Sequence, residues 1–193
     1  GKFTDTWRAL EKLYADGRVR AIGVSNFKVH HLEELARTAS VPPAVNQVEF
    51  HPFLVQPELL AYDLAKGIRH EAWSPLTRGR SLENPVIIRI ARVHGRTPAQ
   101  VLLRWDLQHG VVTIPKSVHR ERIAENAALF DFELAAEEMR AIDALDTGTR
   151  IGPDPDHVTF QGSGLPLPLK WYATNAYSDV TAERMPSWTG TLP

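Results

Sequence analysis

The stretch 111–126, VVTIPKSVHRERIAEN, places a cation, a hydroxyl and a guanidinium where the chain leaves a β-branched run and enters a polar helix. Lys116 and Ser117 follow Pro115 directly, and Arg122, Glu125 and Asn126 share one side of the helix that the pattern predicts. Free N–H groups at a helix start favour anions, and an adjoining lysine and serine turn such a strand–helix junction into a phosphate site. Arginine adds a planar fork that pairs with two phosphate oxygens at once. Arg122 follows Ser117 by five positions, so the first turn and a half of the helix presents both toward one phosphate. An ordinary charged surface helix is the plain alternative for the same residues.

Other polar or flat side chains also fall where strands are expected to end. Ser25, Asn26 and Gln47 offer hydrogen-bond donors and acceptors there, although Ser-Asn pairs also cap helices. Trp73 offers a broad π-face for a planar ring, or simply core bulk. Ser74 and Leu76 open a loop with Arg78 and Arg80, and Arg89, Arg92 and Arg96 follow. That set reads equally as anion-covering charge and as a solvated basic face. The chain has 8 histidines, but apart from the adjacent His30 and His31 they are scattered with no metal-binding spacing, so no metal is expected.

The elements that carry these residues alternate regularly. Thr4 or Asp5 is placed to cap a first helix that buries Trp7, Leu10, Leu13 and Tyr14 and stops at Asp16-Gly17. A β-branched strand is expected at 19–24 and a helix at 29–39, with Leu32, Leu35 and Ala36 inward. A strand follows at 45–50, then a helix at 57–66 that starts on Pro57 and stops at Gly67, then a strand at 71–74. A helix over 85–94 ends at Gly95, and Thr97-Pro98-Ala99-Gln100 is a capping box for the next, to about 108. Strand 111–114 and helices near 119–127 and 137–145 complete the series, the last with Ala135 and Ala136 where a capping side chain would help. Such alternation predicts parallel strands with helical crossovers, and parallel sheets place ligands at strand carboxyl ends. Residues 161–193 have no clean period and are expected to be an irregular extension, poorly ordered or packed only on a partner.

Composition narrows the classes. The 193 residues are 43% hydrophobic and 23% charged, as in a globular domain with a proper core. A net charge of −1 argues against a nucleic-acid or membrane surface, and no apolar run approaches the roughly 18 residues of a membrane span. The absence of cysteine removes disulfides and thiol chemistry and fits a cytoplasmic setting. No signal peptide is recognisable, and the chain opens at Gly1 almost at once in helical periodicity, as if an upstream part were missing.

The motifs LEKLYADGRVRAIGVSNF (10–27), VNQVEFHPF (45–53), EAWSPL (71–76), IPKSVHRERIAEN (114–126) and LDTGTRIGPDPDHVTF (145–160) resemble the aldo-keto reductases, most closely the bacterial 2,5-diketogluconate reductase-like group. The resemblance runs from about 4 to 160 in the family's order and spacing. It implies a (β/α)8 TIM barrel and NADPH-dependent reduction of aldehydes and ketones. It also implies that only strands five to eight are here, so residues 1–160 would be the C-terminal half of such a barrel. Ser25, Asn26 and Gln47 resemble the residues that hold the nicotinamide carboxamide, and Trp73 the aromatic that stacks on its ring. Ser74 and Leu76 resemble the segment over the pyrophosphate. Lys116, Ser117 and Arg122 resemble the 2′-phosphate clamp, and Glu125 and Asn126 the adenine contacts. The family's catalytic Asp, Tyr, Lys and His lie on its first four strands. Tyr14, Tyr62, Tyr172, Tyr177 and His51 do not stand in the matching contexts, so no catalytic residue is assigned.

Four parallel strands cannot close a barrel of about 250 residues, and they leave two edges and an inward face bare. The chain is therefore expected to be a fragment of a longer protein, to pair with a second copy, or to receive its other half from a partner chain. Three functions stay open on this basis. The chain is the cofactor-binding half of a reductase acting on a small carbonyl substrate, a non-catalytic nucleotide-binding or interaction module, or an inactive truncated relic.

Overall fold

The computed structural model describes residues 2–157; the expected extension at 161–193 lies outside them. Helix α1 (Lys2–Ala15) leads into strand β1 (Val24–Ser25), then α2 (Val29–Ala36), β2 (Val45–Glu49), α3 (Pro57–Ala65) and β3 (Arg69–Trp73). A short 3-10 turn (Thr77–Gly79) precedes α4 (Pro85–His94), α5 (Pro98–Gln108), β4 (Val112–Thr113), α6 (Arg120–Ala127) and α7 (Ala136–Asp143). The four strands form one parallel sheet in the order β1-β2-β3-β4. This is an α/β fold in which every crossover contains a helix, as parallel pairing requires.

The punctuation read from the sequence holds at most stops and starts. Gly17, Gly67 and Gly95 have φ of 68°, 69° and 60°, the left-handed geometry that ends a helix. Thr97 Oγ1 accepts from Gln100 N at 3.2 Å, and Gln100 Oε1 accepts from Thr97 N at 3.1 Å, completing the capping box of α5. At α7, Glu138 Oε2 accepts from Ala135 N at 2.8 Å, so a residue inside the helix does part of what the alanines cannot.

Several boundaries differ from expectation. Helix α1 begins before Thr4, which is buried rather than a cap, and Tyr14 and Ala36 face outward. The expected strand 19–24 forms a ladder only at Val24–Ser25, and 111–114 only at Val112–Thr113. Both are outer strands with one paired neighbour, so a β-branched run alone does not make a ladder there. Strand β3 starts earlier than expected and ends before Ser74, whose φ of 58° turns the chain out of the sheet.

The main core lies between the sheet and α4, α5 and α7, with Phe50, Ile87, Leu102, Trp105, Val111 and Ile142 buried together. The Phe50 and Trp105 rings stack with centroids 4.9 Å apart, and Trp105 Nε1 donates to Asp143 Oδ1 at 2.7 Å. A large indole thus fills the layer while its one polar atom is satisfied. Helix α6 buries none of its residues, and Ile114, Val118 and Ile123, which follow β4 in the chain, are exposed.

Candidate functional site

Three strands deliver one hydrogen-bonded cluster to their carboxyl ends. Ser25 ends β1, and its Oγ donates to Gln47 O at 3.0 Å. Asn26 follows with φ 59°, a left-handed conformation that asparagine tolerates better than most residues. Its backbone N–H continues the ladder to Gln47 O at 2.8 Å, and its Nδ2 donates to Ser25 Oγ at 3.0 Å. Asn26 Oδ1 accepts from Trp73 Nε1 at 2.7 Å, across from the end of β3. Gln47 Nε2 donates to Glu71 Oε1 at 2.5 Å. The structure therefore brings Ser25, Asn26, Gln47 and Trp73 together, with Ser25 and Asn26 exposed.

The loop after β3 is held by its own hydrogen bonds. Thr77 N donates to Ser74 O at 2.9 Å, Ser81 N donates to Thr77 Oγ1 at 2.7 Å, and the Thr77 and Ser81 hydroxyls lie 2.6 Å apart. Ser74, Thr77 and Arg78 all have positive φ, between 51° and 58°. Such torsions cost energy for residues with a side chain, and buried Thr77 and Ser81 offset that cost here. Ser74 and Leu76 are half-buried, and Arg78 and Arg80 are exposed. Arg96 is committed elsewhere, to Asp131 at 2.6 Å and over the Phe132 ring.

Strand β4 is the neighbour of β3, with Ala72 opposite Thr113, so the 114–117 segment leaves the sheet at the rim that carries Trp73. Ser117 Oγ accepts from His119 N at 3.1 Å in a turn that starts α6. Lys116 and Arg122 are exposed, and neither side chain makes a hydrogen bond or ion pair among the described residues. Glu125 has other work: its Oε1 accepts from Thr97 Oγ1 at 2.6 Å, and its carbonyl accepts from Gln100 Nε2 at 3.2 Å. It therefore fastens α6 to the start of α5, leaving its second carboxylate oxygen for any ligand. Asn126 is half-buried beside it.

A further part of the rim was not singled out from the sequence. The strap 146–156 runs past the ends of β2 and β3. Glu49, fully buried at the end of β2, accepts from Ile151 N at 2.5 Å and Gly152 N at 3.1 Å. His51 Nδ1 accepts from Phe53 N at 3.3 Å, which leaves the proton on Nε2 to donate to Glu49 Oε1 at 3.2 Å. Burial lowers the His51 pKa, in keeping with a neutral ring. The sequence signal was available: an acidic residue closing an otherwise buried strand needs partners.

The far end of the strap is tied by charge. Lys28 Nζ lies 2.5 Å from Asp154 Oδ1 and 2.6 Å from Asp156 Oδ2. Partial burial would lower the Lys28 pKa, but the bonds to the two aspartates outweigh it and the net shift is upward. The Lys28 bond brings Asp154 down to about 2 and also lowers Asp156. His30 and His31 add to the Asp156 side, with Nε2 atoms 3.1 and 3.6 Å from its Oδ1. These three side chains have the types of a cation site. However, His31 Nδ1 accepts from Lys28 N at 3.2 Å, so Nε2 carries the proton and has no lone pair for a metal. Burial, then neighbouring His30, lowers the His31 pKa. The cluster is a donor cradle for a carboxylate.

A sequence profile of the aldo/keto reductase family matches residues 2–147. The chain belongs to the aldo/keto reductase family. It is 62% identical over 159 residues to the glyoxal reductase of Bacillus subtilis (strain 168), covering 82% of this chain and 58% of that protein. It is 53% identical over 159 residues to the 9,11-endoperoxide prostaglandin H2 reductase of Trypanosoma cruzi (strain CL Brener), covering 81% of this chain and 56% of that protein. Among solved structures, a Gox0644 mutant in complex with NADPH superposes with a TM-score of 0.79 at 46% identity, over 81% of this chain and 58% of that one. This aldo/keto reductase chain thus spans somewhat over half the length of the relatives it matches. No helix among the described residues is long and apolar enough to cross a membrane.

Proposed function

We propose that this chain is the cofactor-binding half, strands five to eight within residues 1–160, of an NADPH-dependent aldo/keto reductase that converts aldehydes or ketones to alcohols. The observation that carries this reading is the cluster of Ser25, Asn26, Gln47 and Trp73 at one rim, held by the 2.7 Å Trp73–Asn26 bond and the Asn26 and Ser25 bonds to Gln47 O. The donor set fits a dinucleotide: polar side chains for a carboxamide, an indole for a flat ring, and beyond β4 Lys116 and Arg122, without ion pairs among the described residues, for phosphate. When bound, the dinucleotide supplies the hydride that reduces a carbonyl carbon. Ser25, Asn26 and Gln47 would orient the amide, Trp73 would support one ring face, and Ser74 and Leu76 would flank the pyrophosphate. Lys116, Ser117 and Arg122 would neutralise the 2′-phosphate, with Glu125 and Asn126 at the adenine. Nothing in this reading assigns a proton donor to the chain. That group belongs to the half of the barrel outside it, so the isolated chain would bind cofactor without turnover. A cytoplasmic setting belongs to the same reading, supported by a chain without cysteine.

A second reading, an interaction module without turnover, is favoured by one observation. The segment after β4 exposes Ile114, Val118 and Ile123, which suits closure by another chain or a second copy. Calorimetric titration of NADPH into the full chain and into Trp73→Leu separates the two. The cofactor reading expects saturable binding that Trp73→Leu weakens about two- to twelvefold, the worth of one aromatic stack. No binding to the native chain, or equal binding to both, overturns it.

A further inference from the structure

The strap 146–156 passes close to the Trp73 ring at Gly152. A Cβ built on Gly152 would lie 2.5 Å from Trp73 Cη2 and 3.3 Å from Cζ2. The φ of Gly152 is outside the left-handed region, so glycine is needed there for space and not for torsion. The indole is therefore fixed at two places: Nε1 bonds to Asn26 Oδ1 at 2.7 Å, and the Cζ2–Cη2 edge of the benzo ring lies against Gly152.

The two holds differ in strength. Gly152 and Ile151 donate their backbone N–H groups to the buried Glu49 carboxylate, which also receives His51 Nε2–H. Arg150 reinforces this from outside, donating to Gln56 Oε1 at 2.9 Å and lying 3.9 Å from Glu49 Oε2. Gln56 in turn donates to Glu49 O at 2.6 Å, and Thr147 N and Thr149 N both donate to Phe53 O. The ring has one neutral, exposed hydrogen bond, whereas the strap has several part-buried ones, those to the Glu49 carboxylate charge-assisted. Pressure at the Gly152–Trp73 contact should therefore move the ring and leave the strap in place.

We propose that Glu49 is a positioning residue: by gripping the strap through its backbone it sets the angle of the Trp73 indole, and with it the ring face offered to the nicotinamide. This rests on the cofactor reading above, but the geometry of the grip does not. Glu49 touches no cofactor atom in this scheme; it acts through Gly152 on Trp73, the residue it faces across the ladder.

The test is a double-mutant cycle on the full 193-residue chain. The Trp73 indole N–H resonance, identified by its loss in Trp73→Phe, reports the ring; NADPH titration reports its use. Gly152→Ala is expected to move that resonance and weaken NADPH about tenfold, while in a Glu49→Gln background the same alanine shifts the signal far less and costs about twofold. The carboxamide introduced by Glu49→Gln has one acceptor oxygen and would turn an N–H toward the strap, so the strap becomes the partner that yields. Should Glu49→Gln fail to fold, Arg150→Ala loosens the same grip from outside, and its cycle with Gly152→Ala is read in the same way. Additive effects, or an indole signal indifferent to Gly152→Ala, overturn the proposal. If no variant and not even the native chain binds NADPH while the indole signal follows the cycle, the grip on Trp73 stands and the cofactor reading falls.

Discussion

Replacing Arg122 with alanine isolates the part of the site that would tell NADPH from NADH. Arg122 is exposed on α6 and its side chain makes no ion pair or hydrogen bond among the described residues. The substitution therefore leaves no buried partner stranded, and its cost to folding should stay within about 0.5 kcal/mol. What it removes is one guanidinium offered to a phosphate. A hydrogen bond to a charged group is worth about 1.5–3 kcal/mol, and the open position of Arg122 argues for the lower end. About 1.5 kcal/mol corresponds to a roughly tenfold rise in the NADPH dissociation constant. NADH has no 2′-phosphate, so its affinity should be almost unchanged. Parallel calorimetric titrations of both nucleotides into native and Arg122→Ala protein, at low and moderate salt, provide the readout. The NADPH loss should also shrink as salt rises, because the contact is exposed. Equal losses for NADPH and NADH would show that Arg122 shapes the fold or the general field and does not hold the extra phosphate.

Two further expectations concern pH. Both oxygens of Asp106 are buried without a hydrogen-bond partner among the described residues, and burial drives its pKa well above the ordinary value of 3.8. The Thr113 hydroxyl pulls the other way but, itself without a hydrogen bond, does not offset this. A raised folded-state pKa means stability that is fully present below 3.8 and lost as pH rises through the folded value. Asp106→Asn should therefore gain melting temperature over the native chain progressively from acid to alkaline pH; parallel melting curves would contradict this. Asp154 behaves oppositely, since its pKa is lowered to about 2 by Lys28. Its hold on the strap is present above the unfolded value of 3.8 and lost as pH falls through about 2. Amide exchange in 150–156 should accelerate over that interval in native protein and be fast throughout in Lys28→Met; identical profiles would exclude the ion pair as the tether.

Much of the fold is legible in short-range sequence spacing. Gly17, Gly67 and Gly95 stop helices because no other residue enters the left-handed region so cheaply, and Thr97 with Gln100 starts one because their side chains reach back to local N–H groups. These are decisions within four or five residues, and sequence spacing records them. Strand lengths were less legible: residues 19–24 have the right β-branched character, yet only Val24–Ser25 finds a ladder partner. The rim residues Ser25, Asn26, Gln47 and Trp73 were nameable one by one, each with a plain alternative as cap or core.

What the sequence by itself determined, then, is the order of elements, their caps and the kinds of chemistry available at the strand ends, all set by short-range geometry. Tertiary structure alone decided who shares that chemistry. It tied Trp73 to Asn26 across 47 positions, committed one oxygen of Glu125 to Thr97, and sank Glu49 so that it grips a strap about a hundred residues away. Those pairings depend on which strands lie side by side and on the need of every buried charge for a partner, and neither constraint is written in the spacing of nearby residues.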